Sequence, residues 1–139
     1  MAAITQAPNV RARSLLRTSL WFDALSVAGL GLLLLLLAGL LEPLFGIDAG
    51  FMRAVGALLL PFAAFLGWTA SRDRIPRAAV LWIVALNALY VVASFAILLL
   101  GWLQPSALGT AFVIAQALVG GAVAVVEWVG LQREDGQTG

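Results

Sequence analysis

Among the polar side chains within the apolar segments of this 139-residue chain, six are the residues that could carry chemistry. They are Asp23, Asn87, Tyr90, Ser94, Gln116 and Glu127. Ionisable and amide groups are costly inside a membrane, so each of them needs a polar partner or a function. The chain has no Cys and no His, which excludes disulfides, thiol chemistry, the usual metal ligands and the usual general base. The sequence therefore predicts no catalytic residue, no metal site and no cofactor.

Asn87 and Gln116 fall near the middle of the third and fourth apolar segments. Antiparallel helices would place the two amides at similar depth, so we expect a direct hydrogen bond between them, which contributes about 0.6–2 kcal/mol to helix packing. The alternative is that both amides line a polar ligand site. Tyr90 and Ser94 continue the Asn87 face at helical spacing. These four residues are the predicted ligand-binding site or polar path.

Asp23 and Glu127 are acidic and lie about one turn inside the predicted cytoplasmic ends of their segments. We expect each to pair with an Arg of the inner connection, namely Arg72, Arg74 or Arg77, because snorkelling keeps such charges hydrated. One alternative is a proton or cation site at an inner vestibule. Another is the acid–base pair of an enzyme that acts on lipid, which requires the two carboxyl groups to lie close together in a cavity.

Four apolar segments must position these residues. Hydrophobic residues make up 63% of the chain and charged residues 11%, against about 45–50% and 25% in soluble domains. Each segment has roughly the 20 residues that span a ~30 Å hydrocarbon core. The segments cover residues 20–41, 51–71, 78–101 and 107–131. The sequence therefore predicts an all-α fold, a four-helix transmembrane bundle in which short connections make consecutive helices antiparallel neighbours.

The flanking segments and the basic residues predict the topology. Residues 1–19 are expected to form a short helix on the inner membrane surface or a solvated tail, residues 20–131 the membrane domain, and residues 132–139 a cytoplasmic tail. Seven of the eight basic residues lie in the N-terminal segment, the second connection and the tail, and only Arg53 lies on the other side. This asymmetry predicts that both termini and the second connection are cytoplasmic.

The first and third segments share a pattern that suggests an internal repeat. They begin with Leu20-Trp-Phe-Asp-Ala-Leu25 and Leu81-Trp-Ile-Val-Ala-Leu86, and they end with Leu41-Glu-Pro43 and Leu103-Gln-Pro105. The second and fourth segments close with Trp68…Arg72 and Trp128…Arg133. The offset stays at 60–62 residues, which is typical of a duplicated two-helix hairpin with a two-fold axis along the membrane normal. The alternative is that Leu-rich runs match by chance.

Several short motifs resemble those of a family of small four-span integral membrane proteins of bacteria. The motifs are Leu20-Trp-Phe-Asp-Ala-Leu25, Leu60-Pro-Phe-Ala-Ala64, Pro76-Arg77…Asn87-Ala-Leu89 and Ala107-Leu-Gly109…Ala115-Gln116-Ala117. The resemblance covers most of the chain and implies a bacterial inner-membrane location. It brings no known activity with it.

Small residues four positions apart on the fourth segment, Gly120 with Ala124 and Ala117 with Gly121, predict close helix packing and self-association. The leading functional hypothesis is a non-enzymatic membrane protein, acting as a packing, accessory or hydrophobic-ligand-binding module. Its expected partners are membrane lipid and either further copies of itself or a larger membrane complex. A net charge of +1 offers no basic surface for nucleic acid.

The alternative hypothesis is a small oligomeric transporter or channel. Its polar path would run past Asn87 and Gln116, with Asp23 and Glu127 at its inner mouth.

Overall fold

Four helices form the fold in a computed structural model, which describes the backbone of residues 2–138 and the side chains of residues 14–133. The helices are α1 (Ala2–Phe45), α2 (Ala49–Ser71), α3 (Arg77–Leu99) and α4 (Ala107–Thr138). Each contains a stretch that is long and apolar enough to cross a membrane, namely Ser14–Phe45, Ala49–Ser71, Arg77–Leu99 and Ala107–Arg133. The predicted all-α, four-helix fold class is confirmed.

α1 runs without interruption from Ala2 to Phe45, across the expected boundary at residue 19, and the division into a cytoplasmic segment and a membrane domain stays a prediction. Leu16 and Leu20 are fully buried and share a core cluster with Val80 of α3 and Leu131 of α4. Leu16 extends the buried stripe of α1 by one turn beyond Leu20, so this turn of the helix packs within the bundle. The tail expected at residues 132–139 likewise continues α4 as far as Thr138.

Polar contacts join the connection between α1 and α2 to the connection between α3 and α4, at the end of the bundle opposite the chain termini. The hydroxyl group of Ser106 donates to the carbonyl of Leu44 at 2.6 Å, and the backbone N–H of Ser106 donates to the carbonyl of Phe45 at 2.8 Å. The rings of Phe45 and Phe112 stack at 4.7 Å between centroids. The Asp48 carboxylate caps α2 by accepting from the N–H of Phe51 at 2.9 Å. The contacts of Ser106 and Phe112 fix the end of α1 against the start of α4, and Asp48 fixes the start of α2.

The helices do not all pack against one another. α1 packs along both α2 and α4, α3 packs along α4, and α2 scarcely touches α3. The buried residues that α2 and α3 share, such as Leu66, Ala70, Val80 and Ile83, are near the connection between them. α1 and α2 are therefore close neighbours, and so are α3 and α4, but α2 and α3 are not. The packing departs from two-fold symmetry, and the duplicated hairpin stays a prediction.

The small residues of α4 are used inside the chain. Ala117 and Ala124 are buried. Gly120 and Gly121 face Val91 of α3, which a Cβ atom on either glycine would meet at 4.0 Å and 3.8 Å respectively. Both of the predicted small-residue faces therefore contribute to packing within the bundle, and association with a second copy stays a prediction.

Candidate functional site

Three buried polar side chains from three different helices meet inside the bundle. Asp23 of α1, Asn87 of α3 and Glu127 of α4 are 3%, 5% and 0% exposed. The Asn87 amide Nδ2 donates to Asp23 Oδ2 at 2.9 Å. The carboxyl group of Glu127 lies against that of Asp23, but neither Glu127 oxygen makes a hydrogen bond of ordinary geometry with a described residue. We call these three residues the acid–amide cluster.

The predicted bond between Asn87 and Gln116 is wrong. Asn87 donates to Asp23 instead, and the Gln116 Nε2 donates to the carbonyl of Val113 on its own helix at 2.9 Å. The Gln116 Oε1 is buried and has no partner among the described residues. A carboxylate is the stronger acceptor, because hydrogen bonds to ionised groups are roughly twice as strong as those between neutral ones.

The predicted pairing of the two acids with Arg residues is also not observed. Asp23 has the Asn87 amide as its partner, and Glu127 has no Arg partner within the described part of the chain. Arg17 donates to the backbone carbonyls of Arg72 and Asp73 at 2.7 Å and 3.3 Å. The prediction failed because Asp23 is buried inside the bundle, where Asn87 of α3 is the donor that reaches it.

A cavity of about 640 Å³ adjoins the acid–amide cluster, and all four helices contribute to its walls. The walls are mainly apolar. Their polar side chains are Asp23, Ser26, Asn87, Tyr90, Ser94 and Gln116. The four residues of the predicted ligand site or polar path therefore line one cavity, although they do not pair as expected. Asp23 also lines the cavity, whereas Glu127 lies behind it.

The cavity opens sideways between α2 and α3. Leu58 of α2 and Leu86 of α3 both line it, and yet they are 74% and 39% exposed at the surface of the bundle. Since α2 and α3 scarcely pack against each other, a gap between them connects the cavity to the surroundings. In a bilayer this gap faces the acyl chains, because it lies within the apolar stretches of both helices.

An apolar layer closes the cavity on the side of the chain termini. One end of the bundle carries both chain termini. One helical turn from each residue of the acid–amide cluster towards that end, the same helix has a buried apolar residue. These residues are Leu20, Ile83 and Leu131. They pack with the fully buried Leu66 and Val80. We call these five residues the apolar plug. Sequence reasoning missed it, although the spacing of three or four residues between each polar residue and its apolar neighbour is a signal that could have indicated it.

The arrangement combines an apolar cavity with one acidic, polar end. The two carboxyl groups are close together, as the acid–base hypothesis requires, but only Asp23 reaches the cavity. Among the described side chains, no group of three or more His, Cys, Asp or Glu residues could hold a metal ion. The chain matches no protein-family model, no curated protein and no solved structure.

Proposed function

We propose that this chain is a non-enzymatic integral membrane protein that binds a hydrophobic ligand, taken up from the bilayer, in the cavity between its four helices. The observation that carries this proposal is the sideways opening of an apolar cavity between α2 and α3. A volume of about 640 Å³ falls within the range of roughly 300–1,000 Å³ that is typical of small-molecule sites. A ligand already dissolved in the acyl chains could enter without crossing water.

The geometry favours binding over catalysis. General acid–base catalysis needs both groups within hydrogen-bond reach of the substrate. Glu127 lies behind Asp23 and does not line the cavity, so a substrate would meet one carboxyl group only. The described chain also lacks a metal-ligating group that could supply a second catalytic element.

Binding is also favoured over conduction. The predicted path residues Asn87, Tyr90, Ser94 and Gln116 line the cavity, but the apolar plug closes it on the side of the termini. A channel needs a continuous polar route across the membrane, and five buried apolar side chains interrupt it here. A transporter would have to separate these side chains during its cycle.

The proposed location is a bacterial inner membrane with both termini in the cytoplasm. The distribution of Arg residues supports this orientation. Exposed Trp side chains agree with it, since Trp21, Trp68, Trp82 and Trp128 occur towards one end of the bundle and Trp102 at the other. Single cysteines at positions 73 and 104 test it in this cysteine-free chain, because they should react with an impermeant thiol reagent from opposite sides. Association with a second copy or with a larger complex stays a prediction.

A substitution that fills the cavity tests the proposed function. Ala93 lines the cavity, so the ring of Ala93→Phe should occupy space that the ligand needs. Ala88 lies on the same helix, is exposed and does not line the cavity, which makes Ala88→Phe the matched control. Native mass spectrometry of protein extracted from membranes would measure the fraction that retains a lipid-sized adduct.

We expect the wild type and Ala88→Phe to retain the adduct. Retention by Ala93→Phe should fall roughly tenfold, which corresponds to about 1.4 kcal/mol of binding free energy. Circular dichroism and gel filtration would establish that both variants are folded. Equal retention by the two folded variants, or no adduct on the wild type, would contradict the proposal.

A further inference from the structure

We propose that the cavity takes an amphipathic cation, a molecule with an apolar body and a positively charged amine or onium group that contacts Asp23, with Glu127 as a second acid behind it. This inference rests on the proposed function and names the chemical class of its ligand. It starts from Glu127, whose side chain is completely buried and whose two oxygens have no hydrogen-bond partner among the described residues. Buried acidic groups are normally paired, because an isolated charge is costly away from water.

Glu127 needs a compensating positive charge all the more because a second acid, Asp23, lies beside it. The carboxyl groups of Asp23 and Glu127 lie against each other, and the amide of Asn87 is the donor that reaches Asp23. Two ionised carboxylates side by side in an apolar interior repel each other strongly. An amide dipole cannot compensate two negative charges, so a proton or a cation has to accompany the pair. Asp23 lines the cavity, which gives a cation in the cavity direct access to Asp23, with Glu127 directly behind it.

The cavity walls select the kind of cation. Among the lining residues none is basic, so nothing there would attract a phosphate or carboxylate head group. Four aromatic rings line the cavity, those of Phe51, Phe62, Tyr90 and Phe112. Aromatic faces attract organic cations, and this attraction is larger when the cation is desolvated. An anionic or zwitterionic lipid would instead bring negative charge towards the two acids.

A metal ion fits this site less well than an organic cation does. Ca²⁺ takes six to eight oxygen ligands and Mg²⁺ keeps a nearly octahedral shell, whereas no group of three or more metal-ligating residues occurs among the described side chains. The cavity also continues away from the acids along α3, from Asn87 to Ile97, a distance of about 15 Å. This apolar length suits the body of an amphipathic molecule whose charged group lies at the acid–amide cluster.

Two ions of the same shape and opposite charge test the inference. Tetraphenylphosphonium is an apolar cation and tetraphenylborate is its anionic counterpart. Saturable binding of each would be measured by equilibrium dialysis against the protein in nanodiscs of neutral lipid, with empty nanodiscs as the background. The variants are Asp23→Asn and Glu127→Gln. The control is Asp73→Asn, which removes an exposed acid on the connection between α2 and α3.

We expect the wild type and Asp73→Asn to bind the cation at least about tenfold more tightly than the anion, and Asp23→Asn and Glu127→Gln to lose about tenfold in affinity for the cation. The comparison of the two ions on the wild-type protein does not depend on whether the variants fold. Equal affinities for the two ions, or unchanged cation binding in both folded variants, would overturn the inference.

The two proposals fail in different ways. If the inference is wrong while the proposed function holds, the lipid-sized adduct remains sensitive to Ala93→Phe although the two ions bind equally. If the wild type shows neither the adduct nor saturable binding of either ion, the proposed function fails together with the inference.

Discussion

Asp23 is the residue on which the candidate site depends, because it joins the cavity to the buried acid behind it. It accepts a hydrogen bond from Asn87, contacts the carboxyl group of Glu127 and lines the cavity. Sequence reasoning selected the polar residues that meet here, since any polar group inside an apolar segment is unusual. It assigned them the wrong partners. Pairing across helices depends on the rotation and depth of each helix, which one sequence does not provide.

The bond between Asn87 and Asp23 should contribute measurably to stability. Asn87→Leu leaves a buried acid without its donor, and an unsatisfied buried partner costs about 1–3 kcal/mol, or more when it is charged. We therefore expect a lower free energy of unfolding, measured by denaturant titration in detergent micelles.

Gln116→Leu is the matched control for that measurement. Gln116 also lines the cavity, but it bonds only to its own helix and has a buried oxygen without a described partner. Its replacement should change the free energy of unfolding by less than about 0.5 kcal/mol or stabilise the protein, because no cross-helix bond is lost. If the two substitutions cost the same, the bond between Asn87 and Asp23 is not a distinct source of stability.

At the scale of the helices, close contact between α1 and α2 accounts for the gap beside α3. Gly31 and Gly56 let the two backbones approach closely, and a Cβ atom on Gly56 would lie 2.6 Å from the carbonyl oxygen of Gly31. α2 is thereby held against α1, and α3 packs on α4, so α2 and α3 diverge beyond their connection. The ends of α2 and α3 agree with the predicted apolar segments within two residues. The start of α1 could not be predicted, because the basic residues before Trp21 obscure the buried position of Leu16.

The close contact between α1 and α2 predicts opposite effects for two substitutions of Gly by Ala. Gly56→Ala must push the backbones apart, and overpacking of this kind typically costs about 1–3 kcal/mol. Gly29→Ala meets nothing within 4 Å and should gain up to about 1 kcal/mol, because Ala is the better helix former. Thermal unfolding of both variants would measure the difference. Equal tolerance at the two positions would show that α1 and α2 are not packed as closely as described.

At the scale of the whole molecule, the bundle is closed on the side of the termini and open towards lipid along one side. The apolar plug forms the closed side, and the gap between α2 and α3 forms the open one. The number of helices and the apolar character of the chain follow from segment length and hydropathy. The opening between α2 and α3 could not be predicted in this way. It depends on which pairs of helices fail to pack, and all four segments are similarly apolar.

The most direct test of lipid access is to ask which buried residues an acyl chain can reach. A phospholipid with a diazirine in its acyl chain would be photolysed in membranes that contain the protein, and labelled residues would be identified by mass spectrometry. Met52 and Leu59 are buried and line the cavity, whereas Leu66 and Val80 are buried in the apolar plug. We predict label on Met52 and Leu59 and none on Leu66 and Val80. Label confined to exposed residues, or spread equally over all four of these positions, would contradict a cavity that opens to the bilayer.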